Sequence, residues 1–164
     1  MYYFLMKIPI LVLIILIVLI AIYLAYGYWK QPKTTYQYAE TNVVINGKTF
    51  VLEIADTPGK RSKGLMYRTN LDDDKGMLFI FDKSGIYPFW MKDTYVPLDI
   101  IWVNSEGFIV AIKEDAKPCD NIASAICQSI IPSKPAKYVI ELNSGKVASL
   151  GLKIGDGISS LGSR

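Results

Sequence analysis

From Ile8 to Tyr26 the chain runs for 19 residues without a charge, and that run constrains everything around it. As a helix rising about 1.5 Å per residue it reaches roughly 28 Å, close to the hydrocarbon thickness of a bilayer. Pro9 falls in the first turn, where its missing N–H removes no intrahelical bond. Tyr2, Tyr3 and Phe4 before the run, and Tyr23, Tyr26, Tyr28 and Trp29 around its end, supply aromatic side chains for the two membrane interfaces. A cleaved secretory signal has a shorter apolar region, about 7 to 15 residues, followed by small residues. This run is longer and ends in bulky aromatics, so an uncleaved single-pass anchor over residues 1–29 is expected, meeting membrane lipid through Ile8 to Tyr26. Charge leaves its direction nearly balanced, because Lys7 and the amino terminus oppose Lys30 and Lys33.

Behind the anchor, residues 30–42 are polar and aperiodic and read as a linker, and residues 43–162 are the size of one ordinary domain. All 15 acidic residues lie beyond position 39, while three of the 18 basic ones, Lys7, Lys30 and Lys33, flank the anchor. Residues 34–164 therefore carry 15 basic against 15 acidic side chains. A neutral domain without a basic stripe is a poor nucleic-acid binder, since that affinity rests on neutralising phosphates. Histidine is absent, which excludes Ser-His-Asp and Cys-His catalysis and, with two cysteines, the ordinary zinc sites. No cofactor is expected. Cys119 and Cys127 sit in a loop-like stretch, AKPCDNIASAICQSIIPSKP, that packing alone would hold poorly. A disulfide closing that loop belongs to an oxidising compartment and so implies an extracytoplasmic domain at the cell membrane. Two free thiols in a cytosolic domain are the other reading.

Asn46-Gly47 between Val43-Val44-Ile45 and Lys48 to Ala55 is a two-residue hairpin signal. Asp56-Thr57-Pro58 offers an N-cap and then proline at the first helical position, predicting a helix of about 10 residues that buries Leu65 and Met66. Strand-like runs follow at Met77 to Phe81, Tyr87 to Lys92, Leu98 to Val103, Phe108 to Lys113 and Lys137 to Leu142. A short helix over Lys146 to Leu150, stopped by Gly151, and a last strand over Gly157 to Leu161 complete the chain. Several runs are apolar on both alternating faces, which implies strands covered on both sides or a sheet curled on itself. The expected fold is α+β: a β-rich, barrel-like, mostly antiparallel sheet with one or two short helices, preceded by the transmembrane helix.

The segments ADTPGKRSKGLMYR, DDDKGMLFIF, PFWMKDTYVPLDIIWVN, IVAIKEDAKPC and KYVIELNSGKVASLGLKIGD, in that order, closely resemble the prokaryotic domain of unknown function 192 family, also called uncharacterised protein family 0127. The resemblance covers about residues 43 to 162. It implies a β-rich α+β domain, frequently secreted or membrane-anchored, and carries no agreed activity. Asp93 stands where the family pattern often shows Asn.

The polar and amphipathic members of those segments are Arg68, Trp90, Lys92, Asp93 and Asp99. Strand alternation puts Trp90 and Lys92 on one face, and Trp90, Lys92 and Asp93 are the candidate ligand-binding residues. Asp99 shares a face with Ile101 and Val103, an odd place for a carboxylate unless it is paired. Arg68 and Asp99 are accordingly read as structural, with an Asp99 pair to a basic side chain expected. The leading function is a non-enzymatic binding or accessory module of the cell envelope, taking an envelope ligand or a membrane protein as partner. An envelope-polysaccharide hydrolase using Asp93 and Asp99, and a structural subunit of a membrane complex, are the alternatives. Met66, Met77 and Met91 are candidate soft-metal ligands but more commonly core filler, and no metal is expected. Asp72-Asp73-Asp74 lacks the alternation of a calcium loop. Ser84, Ser105, Ser144 and Gly145-Lys146 lack the contexts of a nucleophile elbow or a phosphate loop.

Overall fold

The computed structural model of the chain describes residues 9–29, 35–119, 127–159 and 161, with side chains not described at 27–29. It forms two compact units, residues 1–36 and 37–164. In the first, helix α1 spans Ile10–Trp29, and its side chains from Ile10 to Tyr26 are exposed. Among the described residues no helix is long and apolar enough to cross a membrane; the helical backbone runs 20 residues, but side chains are described only from 10 to 26. The flanking Tyr2, Tyr3, Phe4, Lys7, Ile8, Lys30 and Lys33 lie outside the described residues.

The second unit holds β1 (Glu40–Ile45), β2 (Lys48–Ala55), α2 (Pro58–Lys63), β3 (Lys75–Gly85), β4 (Leu98–Val103), β5 (Ile109–Ala116), β6 (Ala136–Asn143) and α3 (Lys146–Leu150). Asn46 and Gly47 both take positive φ, 44° and 82°, the left-handed turn that joins right-twisting strands without splaying them. Thr57 caps α2 by accepting the Lys60 N–H at 3.3 Å, and Pro58 opens the helix as its sequence predicts. The helix is shorter than expected, six residues, because Gly64 at φ 47° turns the chain out of it. Leu65 is buried beyond that turn, whereas Met66 is only partly so.

The strands form one mixed sheet in the order β1-β2-β3-β6-β4-β5, open at both ends. The barrel-like expectation is thereby corrected. The sheet is not uniformly antiparallel either: α2 carries the chain back over the sheet so that β3 pairs parallel to β2, and β6 inserts between β3 and β4. Both-face apolarity arises because each face carries its own core. Phe50, Leu52, Leu78, Ile101, Ile140 and Leu142 pack on one; Met77, Phe79, Met91, Leu98, Ile100, Trp102 and Val139 pack on the other. Met77 and Met91 are therefore core side chains. Gly76 lets β6 approach closely, since a Cβ there would collide with the Glu141 carbonyl oxygen and with Leu142 and Leu52.

Residues 87–92 do not form the expected strand. Pro88 and Pro97 bracket a segment that, among the described residues, makes two isolated bridges, Phe89 with Ile130 and Lys92 with Cys119. It lies across the second core, pinned by ring contacts: Phe89 packs edge-on against Phe79 and Trp102, and Phe81 stacks on Tyr87 at 3.5 Å. The Trp102 indole N–H donates to the Tyr87 carbonyl at 3.0 Å. The expected last strand is likewise reduced to bridges at Gly157 and Ser159.

Candidate binding site

Among the described residues two carboxylates, Asp99 and Glu141, are buried in the sheet, each in different surroundings. Asp99 is 0% exposed, and no cation pairs with it among the described residues. Between the pairs Leu98 with Ala116 and Ile100 with Lys113, one β4 residue opposes two on β5, a bulge that turns Asp115 to φ 49° and frees its N–H from the ladder. Asp99 Oδ1 accepts that N–H at 2.9 Å, and Oδ2 accepts the Val147 N–H in the first turn of α3 at 2.8 Å. Gly145 at the N-cap has no side chain to offer, so Asp99 caps α3 from across the sheet. The expected pairing of Asp99 with a basic residue is corrected: its partners are two backbone amides. Arg68 instead contacts both carboxylate oxygens of Glu53, at 2.8 and 2.7 Å.

Glu141, absent from the sequence-derived candidates, is the second. It is 5% exposed, sits on the second-core face of β6 beside Val139, and has Met77 and Ile100 directly opposite on the neighbouring strands. Among the described residues no donor hydrogen-bonds its side chain and no cation forms an ion pair with it. Burial among these apolar neighbours pushes its carboxyl up to about 8. A buried carboxyl without a partner is costly to keep and marks a candidate functional group.

Glu141 lines a cleft with about 30 Å³ of free space, room for roughly two water-sized atoms. Its walls come from two elements. The end of α2 and the turn after it contribute Arg61, Lys63 and Met66; the segment over the second core contributes Phe89, Trp90, Lys92 and Thr94. Trp90 is 46% exposed, and the Lys92 ammonium lies 5.5 Å from its ring centroid, a favourable cation–π distance. Lys63 lies 4.1 Å from the Tyr67 ring centroid. Arg61 is already committed, donating to the Asp56 and Ile80 carbonyls at 2.8 Å each.

Asp93 does not line the cleft; it braces the mouth. Asp93 and Tyr67 both adopt positive φ, 54° and 66°, an uncommon backbone state for such residues. The Tyr67 N–H donates to the Asp93 carbonyl at 2.6 Å and the Tyr67 hydroxyl to Asp93 Oδ2 at 3.1 Å. The Asp93 carboxylate holds the Tyr67 phenol above its ordinary range. Of the sequence-derived candidates, then, Trp90 and Lys92 meet in one wall, Asp93 stands behind it, and Arg68 and Asp99 lie elsewhere. Asp73, in the triple acid, pairs with Lys48 at 3.1 Å and with Lys146.

The disulfide Cys119–Cys127 forms, with Cα atoms 5.9 Å apart; residues 120–126 lie outside the described residues. Its first cysteine donates its N–H to the Met91 carbonyl at 3.2 Å, so the bridge buttresses the segment that carries Trp90 and Lys92. Closing so short a loop contributes about 2.5 kcal/mol on the chain-entropy account. Cys119→Ser with Cys127→Ser should lower the melting temperature by several degrees and change the emission of partly exposed Trp90. Thermal unfolding followed by circular dichroism and by tryptophan fluorescence checks both, and a transition identical to wild type would show that the bridge does not brace this wall.

The family model of domain of unknown function 192, described as "Uncharacterized ACR", matches residues 41–160. Two solved structures are similar. A protein from Sinorhizobium meliloti 1021 described as a candidate transcription regulator is 37% identical with a TM-score of 0.67, over 77% of this chain and 97% of that one. A protein of unknown function from Novosphingobium aromaticivorans DSM 12444 is 32% identical with a TM-score of 0.65, over 79% of this chain and 90% of that one. No curated protein matches the chain.

Proposed function

The chain belongs to the domain of unknown function 192 family, and on that footing we propose that it is a non-enzymatic, membrane-anchored binding module whose domain faces the outside of the cell. In this reading residues 1–29 are the anchor, 30–42 the tether and 43–162 the binding domain. The uncharged run from Ile8 to Tyr26 supports the anchor, and the Cys119–Cys127 disulfide supports the oxidising side of the membrane.

One observation carries the binding role: a buried Glu141, without a partner among the described residues, lines a cleft walled by the half-exposed Trp90 and by lysines. Hydrolysis through Asp93 and Asp99 has no such support, because Asp99 is sealed inside the sheet and engaged by two amides. The description of the Sinorhizobium relative invites a DNA-binding reading, but 15 basic against 15 acidic residues beyond position 33 offer little to a phosphate backbone.

Protease added to spheroplasts should digest the domain and leave the anchor, and thiol probes should label nothing without reductant. Complete protection from protease, with both cysteines labelled only after lysis, would reverse the assigned side. In the solubilised full chain, envelope fragments should raise the melting temperature of wild type more than that of Trp90→Ala. Equal stabilisation of the two proteins would remove Trp90 from the site.

A further inference from the structure

Building on the binding-module reading, we propose that the cleft takes a small carboxylate group, held between Lys63 and Lys92 at the mouth and the side-chain carboxyl of Glu141 at the floor. Lys63 and Lys92 make no ion pair among the described residues, where the ion pairs engage Lys48, Lys60, Arg68, Lys75, Lys117 and Lys146. Both ammonium groups are instead held against aromatic rings, Tyr67 and Trp90, and both line the cleft. An anion entering there gains two unspent cations, with Arg61 behind them, and Glu141 is the sole acid among the described lining residues. A cation would meet three positive side chains.

Size and protonation narrow the class further. About 30 Å³ accommodates roughly two oxygen-sized atoms, which suits the head of a carboxylate better than the four oxygens and higher charge of phosphate. The groups facing Glu141 from β3 and β4 are apolar, Met77 and Ile100. Of the residues lining the same cleft, the charged ones besides Glu141 are Arg61 and Lys63 from α2 and Lys92 from the overlying segment. The nearby acids Asp56 and Asp93 are occupied by Lys60 and Tyr67. With its pKa near 8, the Glu141 carboxyl is a hydrogen-bond donor at neutral pH. A neutral carboxyl donating to a carboxylate forms a short, charge-assisted bond, whereas an ionised Glu141 would repel the same ligand. Binding is therefore linked to one proton held on Glu141.

Titration of sodium propionate into the solubilised full chain, followed by calorimetry in every protein and by the carboxyl ¹³C shift of Glu141 in wild type, tests this. Propionate should move that resonance, and its affinity should fall about tenfold per pH unit above about 8. Glu141→Gln, which still offers a donor of the same shape, should bind propionate with no such pH slope. Lys63→Met and Lys92→Met should each weaken binding several-fold. Failure of propionate to move the Glu141 resonance at any pH, an unchanged pH slope in Glu141→Gln, or equal binding of phosphate would overturn the inference. If propionate fails while an envelope fragment still stabilises wild type more than Trp90→Ala, only the carboxylate assignment falls. If both fail, the binding-module reading falls with it.

Discussion

Asp99→Ala should destabilise the domain by about 4 kcal/mol, because it deletes the acceptor of two hydrogen bonds, leaving the buried Val147 N–H unsatisfied and the part-buried Asp115 N–H without its partner. The loss is structural in a specific way. Asp115 was freed from the β4–β5 ladder by the bulge, and Val147 belongs to the orphan amides of the first turn of α3. Without the carboxylate the bulge and the helix lose their common tie, and α3 should fray first. Asp99→Asn keeps one acceptor oxygen and should cost clearly less. Since no cation among the described residues pairs with Asp99, combining Asp99→Ala with Arg68→Ala should be additive to within about 0.5 kcal/mol. Denaturant unfolding of the four proteins measures all of this, and strong coupling between positions 68 and 99 would contradict the arrangement.

The contrast between Asp99 and Glu141 shows what the sequence makes legible. A carboxylate alternating with Ile101 and Val103 announces that Asp99 is buried and must be satisfied. Its partners leave no trace there, because they are main-chain amides released by a bulge, and a bulge has no side-chain signature in one sequence. Local punctuation reads well for the opposite reason: Asn46-Gly47, Thr57-Pro58 and Gly151 act on their own backbone, and the hairpin, the α2 cap and the end of α3 fall where they predict. Strand order is not local. The parallel β2–β3 pair and the insertion of β6 depend on which apolar faces meet across the chain, and alternation within a strand carries no partner identity. The segment around Trp90 fails as a strand for a reason that is visible, Pro88 and Pro97 at its borders. Glu141 was equally legible: in YVIEL, residues 138 to 142, it is the one charge among apolar side chains, the same anomaly that Asp99 presents.

That anomaly should dominate the pH dependence of stability. In the unfolded chain Glu141 titrates near 4.5, and in the folded domain near 8, so between these values the folded state holds a proton that the unfolded state has released. Raising pH through this window therefore favours unfolding. The contribution is fully present below 4.5, is lost progressively up to about 8, and changes no further above it. A shift of this size corresponds to on the order of 5 kcal/mol. Asp73 and Asp115 act in the opposite sense and at a different place: their lysine partners hold them below the ordinary carboxylate range, so what they contribute is lost only on acidification. They cannot imitate a decline above pH 5. Glu141→Gln removes the titration while keeping the shape, so its melting temperature should stay nearly flat from about pH 5 to about pH 9 where wild type falls by roughly 15 °C. At the alkaline end the variant should be the more stable protein. Parallel melting curves for wild type and Glu141→Gln would mean that Glu141 ionises normally in the folded domain, with water or a cation reaching its carboxylate through the cleft.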